Sequence, residues 1–499
     1  MKSETEKYLR LSGQIGISYF FNLLIILFQP LLISLLTRVL TVEEYGVYSL
    51  LFTTISILSV ILRLGLVDFI RTKVPGMREE VRARNLFTLL SFSFLTITTV
   101  CLLLFFFRTT IISFLGIQNI PFVWTIALGI IIFTTLNDLI DVYLISIQKI
   151  SVGSSAIFFT RSLWVMLLLL TFSFFGRFSL YQVFILWFWG ALGSLLFACF
   201  LIRKEIALFI RKKDIDFQLL RSAIFFSLPL VLMVFFSFII DASDRYILNY
   251  YLGKSAVAVY SLAYGLVTMI ASLPLIFQST IAPYLAEKWN LKEDPSSFFS
   301  IMLKYSLIIV VPSIIGMVVF REEAVALLSG AKYSESVSLI AIMAIYPLFA
   351  VLIELFNKTL LLRNMIKQTL GVYLAGALFK ILFNLLFVPL WGIKAAAYST
   401  TLSFFLMFFL LFLFRPKEIS LKKEFIAGKR IVFSALLMGL FLSLFSTSPI
   451  WLKLTAVSAG VLIYLTSLFV LHVFQAQEKE LIRTAWRQVF YFWRKVKIE

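Results

Sequence analysis

Two cations stand where a chain of this composition can least easily keep them. Arg161, between Phe159 and Trp164, lies well inside an apolar run at 152–175, and Lys380 lies near the middle of another at 366–388, close to Asn384. A charge at the centre of a membrane helix costs about 2.5–3.5 kcal/mol on insertion scales, so such a residue usually faces a cavity or a partner. Binding of an anion is the chemistry open to both; a structural ion pair or a snorkelling side chain is the alternative. Arg63, near the inner end of a run at 45–66, can also reach lipid headgroups. Arg38 and Arg245 are placed at the outer ends of the first and seventh runs, in corresponding positions, as cationic ligands or as helix-end anchors.

The acids offer a second chemistry. Glu354, within the run at 337–357, and Asp241, at the outer end of the run at 222–243, are suited either to ion-coupled exchange or to neutralising an Arg or Lys in a cavity. Asp138 and Asp141, three apart on the run at 121–145, share one helix face near the cytoplasm. Their position favours a solvated helix end over an ion site. The one histidine, His472, has no polar partner nearby and reads as an interfacial residue, not a proton relay. No Walker loop, metal-ligand cluster or nucleophile constellation is present, so neither ATP hydrolysis, a bound cofactor nor catalysis is supported.

The elements that hold these residues must be membrane helices. Of 499 residues 61% are hydrophobic and 14% charged, and the mean hydropathy is +0.98, outside the range of water-soluble globular domains. About fourteen runs reach the roughly 20 residues needed to cross the hydrocarbon core. Their continuous apolarity, in place of alternation, excludes a membrane barrel. The fold class is therefore an all-α polytopic membrane protein. Cys101 and Cys199 both lie in apolar runs, which suggests neither a disulfide framework nor a metal site. Pro30, Pro229, Pro274 and Pro312 fall within spans, where they can kink a helix or simply be tolerated. The run at 13–36 is too long for a cleaved signal segment and is retained as the first span.

The formal charge of +19 does not point to nucleic acid, because the cations flank hydrophobic spans. Lys and Arg concentrate in the even-numbered connections, which places both termini in the cytoplasm. The tail, with Lys479, Arg483, Arg487 and Arg494 among Trp486, Tyr491 and Trp493, has the pattern of an amphipathic helix on an anionic leaflet. The longest polar linkers divide the chain into a six-span region at 1–206, a second at 207–418, and a final pair with the basic tail at 419–499. A short repeat relates the first two regions: Val47-Tyr48-Ser49-Leu50 opens the second span and Val259-Tyr260-Ser261-Leu262 the eighth. Such internal duplication often places a transporter's substrate site between related halves.

Four stretches, taken in order, carry a family resemblance. They are Leu36-Thr37-Arg38-Val39-Leu40-Thr41-Val42-Glu43-Glu44-Tyr45-Gly46-Val47-Tyr48, then Asp244-Arg245-Tyr246-Ile247-Leu248 with Gly253 and Val259-Tyr260, then Leu328-Ser329-Gly330-Ala331-Lys332-Tyr333, and finally Pro389-Leu390-Trp391-Gly392-Ile393-Lys394-Ala395-Ala396-Ala397. Over roughly residues 10–415 the chain resembles bacterial polysaccharide flippases of the O-antigen type, in the multidrug, oligosaccharidyl-lipid and polysaccharide exporter superfamily. The resemblance implies two pseudo-twofold six-helix lobes around a central cavity, with two additional C-terminal helices. It also implies transport of an undecaprenyl-diphosphate-linked oligosaccharide across the bacterial inner membrane by alternating access, coupled to a proton or sodium gradient and serving polysaccharide polymerase machinery.

On that basis Arg161 and Lys380, then Arg63, Arg38 and Arg245, are the expected diphosphate ligands, while Asn384, Asn22, Gln29 and Asn357 suit sugars. Three other functions compete. An exporter of drugs or organic cations should favour acids in its cavity. A flippase for the peptidoglycan precursor would share the cations. A membrane glycosyltransferase or polymerase would draw on Glu43 and Glu44, yet their connection is only about eight residues long.

Overall fold

A polypeptide crossing hydrocarbon must satisfy its backbone hydrogen bonds within itself, and this chain does so as α-helix. The computed structural model describes residues 2–75, 77–118, 120–212, 216–290, 296–363, 365–415 and 422–474. In chain order the helices are α1 (Lys2–Val39), α2 (Val42–Leu62), α3 (Leu66–Lys73), α4 (Glu79–Phe106), α5 (Arg108–Leu115), α6 (Pro121–Ser146), α7 (Ile150–Phe175), α8 (Leu180–Leu201) and α9 (Arg203–Lys212). They continue as α10 (Phe217–Leu252), α11 (Lys254–Asn290), α12 (Ser296–Val319), α13 (Arg321–Ser329), α14 (Ser336–Met343), α15 (Tyr346–Leu362), α16 (Ile366–Trp391), α17 (Ile393–Leu413), α18 (Lys422–Ser443) and α19 (Ile450–Val470). No strand occurs among the described residues. Among the described residues, fourteen segments are long and apolar enough to span a membrane, matching the number expected from hydropathy; α14 and α15 together supply one of them.

Local signals fix several helix ends. Thr41 caps α2 and Glu44 reaches back to the Thr41 backbone, a reciprocal capping box. Ser179 and Gln182 do the same for α8. The carboxylate of Glu44, a candidate acid for sugar transfer, is thus engaged in holding a helix start. Alpha helices run unbroken through Pro30, Pro229, Pro274 and Pro312. The seventh span does not end near 243: α10 is 36 residues long and carries the Asp241, Asp244 and Arg245 group inside the helix. The C-terminal tail beyond 474 lies outside the described residues.

The described residues fall into two compact units. The first comprises Met1–Leu266, Glu322–Met343 and Ile366–Met407. Its core includes Leu66, Phe69 and Ile70 of α3 against Leu86 and Leu89 of α4, Leu139 and Tyr143 of α6, and Ala223 of α10. The repeated tetrapeptides both lie here. Each starts five residues after the first residue of its helix, and all eight residues are buried. The two helix starts touch directly: a Cβ on Gly46 would lie 2.0 Å from the Lys254 carbonyl oxygen, so only glycine permits the approach.

The second unit comprises Val267–Arg321, Ala344–Met365 and Phe408–Glu499. Gln278 donates to Ser306 at 3.1 Å and to the Val351 carbonyl at 3.0 Å, joining α11, α12 and α15. The Tyr464 hydroxyl of α19 donates to the Ile308 carbonyl of α12 at 2.9 Å. His472, in the turn that follows α19, has a positive φ of 53°, and its carbonyl accepts from Arg430 at 3.1 Å.

Candidate functional site

Three helices of the first unit bring charge to one place. Helix α2 stops at Arg63 because Leu64 and Gly65 turn to positive φ, 49° and 68°, before α3 begins. Gly65 also packs against α10, where a Cβ would meet Ser227 Cβ at 2.7 Å. Arg63 is therefore held at the C-terminal end of α2, where the exposed carbonyl dipoles favour a cation, and it forms an ion pair with Asp138 of α6. One turn earlier on both helices, the Ser59 and Thr134 hydroxyls share a hydrogen bond of 2.9 Å.

Helix α7 completes the group. Gly153 lets it approach α6 closely, since a Cβ there would lie 2.6 Å from Ile145 Cγ1 and 3.3 Å from the Asp141 carbonyl. Two turns along the same face, the Thr160 hydroxyl lies 3.2 Å from Asp141 Oδ2. The neighbouring Arg161 is exposed into a cavity of about 350 Å3, lined also by Gln29, Ser56, Arg63, Asp138 and Trp164. Trp164 stacks on Trp187 with ring centroids 5.1 Å apart, and Trp187 on Phe52 at 5.4 Å, forming an aromatic wall. Arg161 has no hydrogen bond or ion pair with any described residue.

Asp138 and Asp141 do not form a solvated helix end. Asp141 is 1% exposed, because α6 continues to Ser146 and α7 covers it. Asp138 is neutralised by Arg63.

Lys380 departs from the expected anion ligand. Its Nζ lies 2.6 Å from Asp244 Oδ2, 3.0 Å from Thr400 Oγ1 and within hydrogen bonding of the Ile240 carbonyl, and both charged side chains are 0% exposed. An ammonium has three donors and all three are occupied, which leaves none for a phosphate. Asp244 is equally saturated: it also accepts from Asn384 at 2.6 Å, Tyr260 at 2.6 Å, Ser399 at 3.2 Å and Thr400 at 3.4 Å. Asn384 is thus a member of this buried network, not a group displayed to a sugar. Asp244, Tyr260, Ser399 and Thr400 were not marked by the sequence as site residues. Extending the seventh helix past 243 would have exposed the signal, an acid on a helix that also bears Ile240.

The remaining candidates are dispersed. The Arg38 guanidinium donates to the Leu327 carbonyl at 2.5 Å at the end of α13, and Thr37 donates to the Leu328 carbonyl at 3.2 Å. Arg245 does not correspond to it in position, because α10 continues seven residues further, whereas Arg38 falls in the last turn of α1. Arg245 donates to Ser261 at 3.1 Å and to the Asp241 carbonyl at 2.9 Å, and lies over the Tyr264 ring. Asp241 is exposed and accepts from Tyr264 at 3.2 Å. Glu354 pairs with Lys358 at 2.9 Å on its own helix. Asn22 donates to the Ser18 carbonyl at 2.9 Å, Gln29 faces the cavity beside Arg161, and Asn357 is buried in the second unit.

Comparison with known proteins adds a family match, a curated relative and two solved structures. The family described as polysaccharide biosynthesis protein matches residues 11–289. An uncharacterized membrane protein of Methanocaldococcus jannaschii is 26% identical over 244 residues, which are 48% of this chain; the chain covers 46% of that relative's length. Among solved structures, the lipid II flippase MurJ in an inward closed conformation superposes with a TM-score of 0.74 at 15% identity, over 94% of this chain and 99% of that one. A multidrug resistance MATE family transporter of the MOP superfamily, in an inward-facing conformation, superposes with a TM-score of 0.61 at 11% identity, over 84% and 98% respectively. These likenesses establish a shared fold.

Proposed function

The chain belongs to the polysaccharide biosynthesis protein family, and from that premise we propose that it flips an undecaprenyl-diphosphate-linked oligosaccharide from the cytoplasmic to the outer leaflet by alternating access. The observation that carries this reading is Arg161. It is a guanidinium without a partner among the described residues, opening into a cavity in a membrane-spanning unit. Guanidinium matches the geometry of phosphate oxygens and retains its charge in poorly hydrated surroundings. Around it, Gln29, Ser56 and Thr134 offer the neutral donors and acceptors that sugar hydroxyls require. The lipid tail stays in the bilayer, so only the headgroup has to enter.

An exporter of organic cations would need an uncompensated acid in the same place. Asp138 is paired and Asp141 is buried, so the free charge presented to the cavity is positive. The distribution of Lys and Arg supports both termini in the cytoplasm, and the resemblance to bacterial polysaccharide flippases is what suggests a bacterial plasma-membrane location. The headgroup delivered to the outer leaflet is then the substrate of a polymerising glycosyl transfer.

Flipping of a short diphosphate-linked glycolipid in proteoliposomes tests the proposal, comparing the native protein with Arg161→Ala at matched reconstitution. The expected outcome is native transport and its loss in the variant. Equal transport by both would remove Arg161 from the site, and absence of transport with any such lipid would overturn the substrate class.

A further inference from the structure

Helix α2 lays four residues along the cavity that Arg161 enters, in the order Phe52, Ser56, Ser59 and Arg63. Their spacing puts them on one helix face. At 1.5 Å per residue, the ring lies about 16 Å along the axis from the guanidinium. The lining of α2 is thus graded from aromatic at one end to cationic at the other. Helix α7 narrows that gap, because Trp164 stands about one turn from Arg161 and stacks on Trp187, which in turn stacks on Phe52. Trp164 and Trp187 are buried and serve as packing; Gly190 admits Trp164 so closely that a Cβ there would lie 2.6 Å from the Trp164 Cβ. Phe52 differs from its neighbours. It is 39% exposed, whereas Leu50, Leu51 and Ile55 are at most 1% exposed.

Hydrogen-bonding groups beside this ring are unspent. Ser59 is paired with Thr134. Ser56, one turn from Phe52, and Gln29, facing the cavity from α1, have no hydrogen-bond partner among the described residues. A pyranose needs both kinds of contact. Its axial C–H bonds form an apolar face of partial positive charge that matches the negative face of an aromatic ring, while its rim hydroxyls need donors and acceptors. A hydrocarbon ligand would leave Gln29 and Ser56 unsatisfied, and a bare anion would leave the ring unused. The cavity, about 350 Å3, is at the small end of the roughly 300–1,000 Å3 usual for small-molecule sites. It suits the sugar next to a diphosphate, not a whole oligosaccharide.

We propose that Phe52, backed by Trp187, is the platform on which the first sugar of the headgroup stacks, with Ser56 and Gln29 holding its hydroxyls and Arg161 the adjoining diphosphate. The site then selects a pyranose with a flat C–H face, as in the gluco configuration, over a furanose or a pyranose with an axial hydroxyl on that face. Placing the diphosphate rests on the function proposed above; the ring platform makes no use of charge.

Calorimetric titration of the full-length protein in phosphatidylcholine nanodiscs tests this with three probes. They are farnesyl diphosphate, its glucosyl ester, and farnesyl glucoside, which carries the sugar without the diphosphate. The ratio of affinities for the first two is read within each protein, so a loss common to both probes cancels. The native protein should bind the glucosyl ester about three- to tenfold more tightly than farnesyl diphosphate, the worth of one aromatic contact. Phe52→Leu should bring that ratio close to one, and Phe52→Tyr should keep it.

Equal ratios in the native protein and Phe52→Leu would overturn the platform. A ratio near one in the native protein would overturn it too, while leaving the anion site standing. If neither diphosphate binds, farnesyl glucoside decides the matter. Binding of it that Phe52→Leu weakens by about three- to tenfold upholds the platform and overturns the anionic-headgroup reading alone; no binding overturns both. Should Phe52→Leu fail to fold, Gln29→Ala, at an exposed position of α1, should also lower the ratio, and an unchanged ratio there would refute the sugar site.

Discussion

Lys380 of α16 and Asp244 of α10 form an ion pair of 2.6 Å with neither side chain reaching solvent. Their remaining hydrogen-bonding capacity is satisfied by Asn384, Tyr260, Ser399, Thr400 and the Ile240 carbonyl. Breaking such a pair strands a charge and costs about 3–5 kcal/mol, whereas replacing both partners costs much less. Lys380→Met and Asp244→Asn should each lower the thermal stability of the detergent-purified protein sharply, and the double variant should recover a substantial part of the loss. Additive losses in the double variant would show that the two side chains act independently.

The pair Arg63–Asp138 should behave in the same way, and its role separates from that of Arg161. Arg63→Ala strands Asp138 and should reduce stability; Arg63→Ala with Asp138→Asn should restore much of it while farnesyl diphosphate still binds. Arg161→Ala should leave stability nearly unchanged and weaken that binding by about ten- to a hundredfold, the worth of a charge-assisted hydrogen bond. Calorimetric titration of the three proteins checks both statements.

Glu44 provides a test of catalysis against capping. Glutamine can replace glutamate at the third position of a capping box, so Glu44→Gln should flip lipid at the native rate. Thr41→Ala, which removes the cap, should cost about 1 kcal/mol of stability. Loss of activity in Glu44→Gln with stability intact would instead mark the carboxylate as a reacting group.

At Gly46 a methyl group would fall 2.0 Å from a main-chain oxygen, which cannot rotate away. Gly46→Ala should therefore cost at least about 1–3 kcal/mol through overpacking. Gly371, a helical glycine with nothing within 4 Å of the place a methyl group would take, should accept alanine without loss. Melting temperatures of the two variants, measured side by side, decide the matter.

The number of membrane spans was legible because hydrocarbon thickness imposes a length on every apolar run, and Arg161 was legible because a cation in such a run is conspicuous. Helix ends were less so. Hydropathy falls at Asp241, but α10 continues to Leu252 because its polar residues find partners on α11, α16 and α17. Asp244 consequently looked like part of a loop. Asp141 was misplaced for a similar reason: its burial depends on Gly153 admitting α7, a relation between helices that spacing along one helix does not contain. Lys380 was recognised as an intramembrane charge, yet its choice of Asp244 over a ligand is settled by tertiary packing.

The stacked indoles of Trp164 and Trp187 border the cavity at a centroid separation of 5.1 Å. Chromophores that close share their excited states, so the pair should contribute a paired positive and negative signal to the circular dichroism of the unlabelled protein. Anything entering beside Arg161 and shifting Trp164 would alter that signal. The protein thus carries its own optical gauge of whether the cavity is filled.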